Sequence, residues 1–116
     1  MVDRIYQLLK PLGHPCQYIL RPNLDRGVSI SYHFFNRSRA LRGDGKGRGF
    51  TQSVQIDVFY NRDIGSLADD IIDIMEAAGF LFSREDDDAE IVGGVRLYHK
   101  ILVFNFLESE VINHGE

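Results

Sequence analysis

The sequence has little of what a disulfide-stabilised, secreted or membrane-spanning protein requires. Its 116 residues contain one cysteine, Cys16, so no intramolecular disulfide can form. No window approaches the roughly 20 apolar residues of a membrane span. The N-terminal stretch MVDRIYQLLKPLG has an acid and a base within it and no signal-peptide pattern. We therefore expect a protein without a membrane partner that stays where it is made, in which Cys16 is a small buried side chain.

Motifs that would point to catalysis or to a metal are missing too. The four histidines, His14, His33, His99 and His114, are far apart and form no zinc-type spacing, so each is expected to be structural or exposed. The acidic segment REDDDAE lacks the spacing of a calcium loop, and no nucleophile motif occurs. We therefore predict no catalytic, metal or cofactor-binding residues, no cofactor, no small-molecule substrate and no enzymatic activity.

The composition of the chain predicts one soluble domain spanning residues 1–116. Hydrophobic residues make up 44% of the chain and charged residues 26%, which is ordinary for a folded globular protein. No repeat or second hydrophobic cluster suggests another domain. The last residues, 110–116, are expected to fray.

Hydrophobic periodicity predicts the order α-β-β-β-α-β-β. Residues 2–10 and 66–78 carry helical stripes, and Ser66 with Asp69 fits a capping box. VSISYHFF and SVQIDVFY alternate apolar and polar residues, as half-buried strands do. FLFS is expected to be a short strand before an acidic loop. In the final strand VRLYHKILVFNFLE, the apolar residues fall on odd positions at first and on even positions at the end. A bulge, or burial on both faces, would explain that change. We predict an α+β fold, with two helices on one face of a mainly antiparallel sheet and a long β-hairpin.

The expected hairpin has an overlong, basic, glycine-rich tip at about residues 37–51, which we expect to be mobile. The segment 36–50 carries one acid, so its net charge is about +4, against a formal −4 for the whole chain. Three interpretations stay open: a solvated hairpin end, a loop that docks on an acidic protein surface, or a small nucleic-acid-binding module. Its five cations are Arg37, Arg39, Arg42, Lys46 and Arg48.

Two acidic surfaces could complement that tip. One is the outer face of the second helix, and the other is the acidic turn expected before the final strand. Charge complementarity of this kind steers assembly and fixes register. The acids in question are Asp69, Asp70, Asp73, Glu76, Asp86, Asp87 and Asp88.

Across nearly its whole length the chain resembles the tail terminator family (tail completion, or head–tail joining, proteins) of long-tailed bacteriophages and prophages of Gram-positive hosts. The pieces that carry the resemblance are QSVQIDVFYNRD, followed by the helix IGSLADDIIDIMEAAGF, and the closing strand LYHKILVFNF. The order of elements and the variable charged hairpin fit the same family.

The resemblance implies structural work in a virion. Members of the family form a ring, typically of six copies, that caps the tail tube, stops its growth and joins it to the head connector. The implied partners are other copies of the chain, the tail-tube protein and the head-completion protein, with DNA only as passing cargo. The implied locations are the host cytoplasm during assembly and the head–tail junction of the virion. By position in the hairpin, the five cations would lie at a subunit interface or near the DNA channel.

Overall fold

The computed structural model describes residues 1–19, 27–41 and 48–109. Two α-helices, one 3-10 turn and five strands follow one another along these residues. They are α1 (Val2–Leu9), the 3-10 turn (Lys10–Leu12), β1 (Cys16–Tyr18), β2 (Val28–Leu41), β3 (Arg48–Tyr60), α2 (Leu67–Ala77), β4 (Leu81–Val92) and β5 (Val95–Ser109).

The five strands form one sheet in the order β1-β2-β3-β5-β4. Only β1 runs parallel to its neighbour; β2–β3, β3–β5 and β5–β4 are all antiparallel pairs. The predicted α+β class and element order are therefore confirmed. The sheet has β4 as one edge, and β1 covers only the first part of β2 at the other.

Both helices pack on one face of this sheet. The alternating apolar residues of β2 and β3 point to that side, so Ile30, Ile56 and Val58 are at most 1% exposed. Helix α1 contributes Ile5 and Leu9 to the same core. Residues spaced three and four apart on α2 complete it, because that spacing puts them on one side of the helix.

Strands β2 and β3 extend further than the sequence predicts. The predicted hairpin tip starts at position 37, yet β2 continues to Leu41 and β3 begins at Arg48. The physical reason is that β3 pairs with β5 as far as Gly49 opposite Ser109, which supports the whole hairpin base. The tip is therefore confined to residues 42–47, which lie outside the described residues, as does the C-terminal stretch 110–116.

The predicted acidic loop is wrong: residues 84–92 belong to β4. The pairing with β5 runs from Leu81 opposite Asn105 to Val92 opposite Val95, with one bulge between Phe82 and Arg84. An edge strand exposed to solvent needs few apolar residues, so the hydrophobic pattern gave no strand signal here. The only turn in this hairpin is Gly93–Gly94, and both glycines have the positive φ of a two-residue turn.

The apolar residues of β5 change from odd to even positions because the strand is buried on both faces. The β3–β5 register is unbroken over residues 98–109, so β5 itself has no bulge in that pairing. Leu102 and Phe104 face the helices and are fully buried, while Leu97 and Val103 are buried on the opposite face. Of the two explanations left open by the sequence, the second is confirmed.

The capping box predicted at the start of α2 does not form. Ser66 is the N-cap residue, but its side chain caps no backbone N–H. Its hydroxyl donates instead to the Asp70 carboxylate at 3.1 Å. The φ of −88° and ψ of 10° at Ser66 lie outside the extended region typical of an N-cap, which explains the difference.

Candidate functional site

Two of the five predicted basic residues form a defined cluster at the base of the β2–β3 hairpin. The Arg37 guanidinium lies 3.6 Å from the centre of the Phe50 ring, and that of Arg39 lies 5.1 Å from it. Arg37 also donates to the Glu108 carboxylate of β5 at 3.3 Å. The Arg37 side chain is 50% exposed, so these cation–π and ion-pair contacts contribute little to the stability of the fold.

A β-bulge sets this geometry. Between Phe35 and Ser38, two residues of β2 lie opposite one residue of β3, and Asn36 adopts a φ of 60°. The bulge changes which side chains of β2 share a face, and it brings Arg37 and Arg39 to the side of Phe50. Of the other predicted cations, Arg42 and Lys46 lie outside the described residues, and only the backbone of Arg48 is described.

The acids predicted on α2 form an exposed outer surface. Asp69, Asp70, Asp73 and Glu76 are all exposed to solvent. Asp69 and Asp70 lie in the first turn of the helix, where the helix dipole favours negative charge. The predicted placement of these four side chains on the solvent side of the helix is therefore correct.

The acids of β4 are organised by two basic residues. Lys100 of β5 lies on the helix-covered face, with its amine 3.0 Å from Glu85 and 2.7 Å from Asp87. Arg84 contacts Asp86 at 3.0 Å on the opposite face. The hydrogen bond to Asp87, together with Glu85, raises the pKa of Lys100 to about 12. The amine thus keeps its charge at all physiological pH values.

The sheet therefore separates charge between its two edges. Arg37 and Arg39 lie on β2, while the acids of β4 lie at the far edge of the same sheet. Asp86 and Asp88 pair in register with Ile101 and His99, so their side chains share the face without helices. The sequence predicted both sets of charges but could not show that the sheet order places them on opposite edges.

A histidine–aspartate cluster on the helix-free face was missed by the sequence analysis. Asp57 of β3 is 6% exposed, and its carboxylate lies 2.7 Å from His99 Nε2 and 3.7 Å from His33 Nδ1. Gln55 donates to the same carboxylate at 2.8 Å. The His99 ring also stacks on Phe59 with the ring centres 4.2 Å apart. The register of three strands brings these residues together, so spacing along the chain carried no signal.

This cluster has the character of a structural hydrogen-bond network. Each partner adds a hydrogen bond or ionic contact to a carboxylate that is otherwise removed from water. Among the described residues, no three potential metal ligands are arranged to hold an ion. Cys16 is 8% exposed, as predicted, and burial raises the pKa of its thiol to about 11, which makes it a poor nucleophile.

Two of the pockets that the described residues form are open to solvent. One of about 360 Å³ lies at the start of α2 and is lined by Asp63, Asp69, Glu85 and Lys100, among others. Tyr60, Ile64 and Ala68 line it as well, so polar and apolar side chains share a lining that is open to solvent, whereas small-molecule sites are mostly enclosed and apolar. Within the described part of the chain, no helix has the length and apolar character needed to cross a bilayer.

Comparisons with known proteins found similarity to solved structures. No protein-family description matches the chain, and no curated protein matches it. The fold is similar to that of a chain in the virion of a native gene transfer agent (GTA) particle, with a TM-score of 0.57 and 17% sequence identity. The alignment covers 93% of this chain and 91% of that chain, so the two share a fold over nearly their whole lengths.

Proposed function

We propose that this chain is a structural component of a virion, and specifically a tail terminator that assembles into a ring of identical copies. The observation that carries the proposal is the shared fold with a virion chain, over 93% of this chain. The tail terminator role comes from the resemblance of the sequence to that family, and the shared fold supports only the coarser role of a virion component. In this function the chain caps the tail tube and joins it to the head connector.

The distribution of charge supports assembly from identical copies. A closed ring of identical subunits requires two different, complementary patches on each copy. The chain carries a basic hairpin at one edge of its sheet and acidic side chains on β4 and α2. Basic and acidic patches on separate surfaces are suited to head-to-tail contact and unsuited to contact between like surfaces.

The absence of a recognisable reaction centre among the described residues is compatible with this function but does not carry it. The polar groups that are brought together, Asp57 with His33 and His99, are held by one another on a sheet face. We therefore place no catalytic step in the proposal. DNA enters it only as cargo that passes through the ring.

The nucleic-acid-binding alternative has weaker support. Arg37 and Arg39 pack on Phe50, and Arg37 also contacts Glu108. That arrangement occupies the one aromatic ring in the basic segment, which a single-stranded nucleic acid would use for stacking. A titration with DNA and RNA at low salt tests the alternative, since phosphate contacts would give a strongly salt-dependent affinity.

Light scattering across protein and salt concentration tests ring formation. One copy has a mass of 13.3 kDa, so a six-membered ring has a mass of about 80 kDa. We expect the mass to rise toward that value with protein concentration and to fall as salt screens the charged patches. A chain that stays monomeric at high concentration in low salt, and that also fails to bind the ends of tail tubes, contradicts the proposal.

A further inference from the structure

The end of the β4–β5 hairpin extends beyond β3. The last residue of β3, Tyr60, lies opposite Tyr98 of β5. β4 and β5 continue past this point as a pair, which ends with Val92 opposite Val95. We call residues 91–96 the arm. A two-stranded hairpin is marginally stable in water by itself, so an arm of this kind gains from packing on another surface.

The arm carries apolar side chains that take no part in the core. Ile91 is 71% exposed and Val95 is 58% exposed. Ile91 lies opposite Arg96 and Val95 opposite Val92, so the two side chains lie on opposite faces of the arm. Both are β-branched residues that suit a strand, and neither belongs to the hydrophobic core. Apolar surface on both faces of a thin arm is suited to contact with another molecule.

A second exposed apolar surface lies at the other end of the sheet. Leu81 is 70% exposed and Leu107 is 51% exposed, and we call these two side chains the base patch. Leu81 lies opposite Asn105, which accepts a hydrogen bond from Ser53 on the helix-free face, so Leu107 is its diagonal neighbour on that face. β5 rises by about 41 Å from Val95 to Leu107, so the arm of a chain does not reach its own base patch.

The two ends also carry opposite charge. Residues 84–96 carry five acids and two arginines, and Lys100 contacts two of the acids, so the end with the arm stays net negative. The base patch lies beside the basic hairpin, because Arg37 of that hairpin contacts Glu108, the residue after Leu107. Two arms in contact would place like charges together, whereas an arm on a base patch places opposite charges together.

We propose that the arm of one copy packs on the base patch of a second copy, which brings Ile91 and Val95 to Leu81 and Leu107. The partner is a second copy because one chain carries both surfaces, which match in apolar character and are opposite in charge. This inference rests on the proposed function and specifies the contact through which the ring is built. Two different surfaces at opposite ends of each copy give the head-to-tail contact that a ring requires. Apolar burial holds the contact, and charge selects its orientation.

Two variants that make one surface polar test the contact by light scattering. The arm variant carries Ile91→Thr and Val95→Thr, and the patch variant carries Leu81→Asn and Leu107→Asn. All four positions are exposed, so we expect both variants to fold with the circular dichroism spectrum of the wild-type protein. The concentration at half assembly should rise about tenfold or more in each variant, because apolar burial is lost. Ile91→Val and Leu81→Met keep the surfaces apolar and are the matched controls.

A mixture of the arm variant and the patch variant should form a dimer of about 27 kDa and nothing larger. One unaltered arm then meets one unaltered base patch, and the two remaining surfaces are both polar. A mixture that stays monomeric, or an arm variant that assembles like the wild-type protein, overturns this contact and leaves the ring standing. A wild-type protein that fails to assemble at any concentration and to bind tail-tube ends contradicts the proposed function itself.

Crosslinking provides a second test of which surfaces meet. In a Cys16→Ala background, one chain carries both Val95→Cys and Leu107→Cys, which lie too far apart for a short bismaleimide to bridge within that chain. We expect a ladder of covalent oligomers from this double variant and none from either single variant. In the matched control, Ala77→Cys on an exposed position of α2 replaces Val95→Cys and should give no ladder. A covalent dimer formed by Val95→Cys alone would mean that two arms meet and would overturn the proposal.

Discussion

The buried thiol of Cys16 allows a quantitative prediction about alkaline stability. Burial raises the pKa of this thiol from 9.0 to about 11. The folded protein therefore resists deprotonation that the unfolded chain undergoes freely. The resulting stability is fully present below about pH 9 and is lost as the pH rises toward about 11. From the two pKa values, the loss is about 1.4 kcal/mol at pH 10 and approaches about 2.7 kcal/mol above pH 11.

The perturbation is Cys16→Ala, measured by urea unfolding at about pH 8 and about pH 10. The substitution leaves a small cavity whose cost is the same at both pH values, and the other titrating groups are common to both proteins. The free energy of unfolding should therefore fall by about 1.4 kcal/mol more in the wild-type protein than in the variant. Equal falls in the two proteins would refute the assignment of a buried, uncharged thiol.

Thiol labelling gives an independent reading of the same pKa. With a pKa of about 11 in place of 9.0, the thiolate fraction near neutral pH is about a hundredfold lower than that of an unperturbed cysteine. Cys16 should therefore react with a thiol reagent far more slowly in the folded protein than in urea. A fast reaction of the folded protein would contradict both the burial and the raised pKa.

The remaining predictions concern the core, the acidic strand and the hairpin base. Phe104→Ala leaves a cavity at a fully buried position and should lower the free energy of unfolding by about 3–5 kcal/mol. Leu107→Ala, at a 51% exposed position of the same strand, is the control and should change the free energy of unfolding little. Lys100→Met removes the amine that lies between the carboxylates of Glu85 and Asp87 on β4. Because both carboxylates are partly exposed, the free energy of unfolding should fall by about 1 kcal/mol. A fall that is equally large at high salt would contradict an ionic origin. Gly49→Ala would place a Cβ 2.8 Å from the Glu108 carbonyl oxygen of β5, so β3 and β5 would have to move apart there. We therefore expect faster proteolysis at the base of the β2–β3 hairpin. Unchanged proteolysis would mean that β3 and β5 do not pair at Gly49.

Periodicity predicted the elements whose one face is buried. The alternation in VSISYHFF and SVQIDVFY identified β2 and β3 because every second residue packs under the helices. The helical stripe around Ile71 and Met75 identified α2 for the same reason. In each case a local pattern records burial on one side, which is the physical cause of both the pattern and the element.

Periodicity could not predict the acidic half of β4 as a strand. Its side chains are exposed, and its strand conformation comes from pairing with β5 and from the contacts of Lys100 with Glu85 and Asp87. These are long-range interactions that leave no alternation in the local sequence. The same holds for the cluster of His33, Asp57 and His99, which depends on the registers of three strands.

The hairpin was predicted with its strands too short. A run of arginines and glycines predicts a loop, but Arg37 and Arg39 pack on Phe50 across the β2–β3 pair. Pairing with β5 then extends the sheet to Gly49. The charges were identified correctly, and their placement at one edge of the sheet required the strand order.

The central claim is that copies of this chain form a ring at the end of a tail tube. The most direct measurement is electron microscopy of tail tubes, polymerised from the tube protein of the same virion, after incubation with this protein and then with more tube subunits. We predict one ring at a tube end and no further growth of the capped tubes, while untreated tubes lengthen. Bare tube ends and equal growth of treated and untreated tubes would contradict the account.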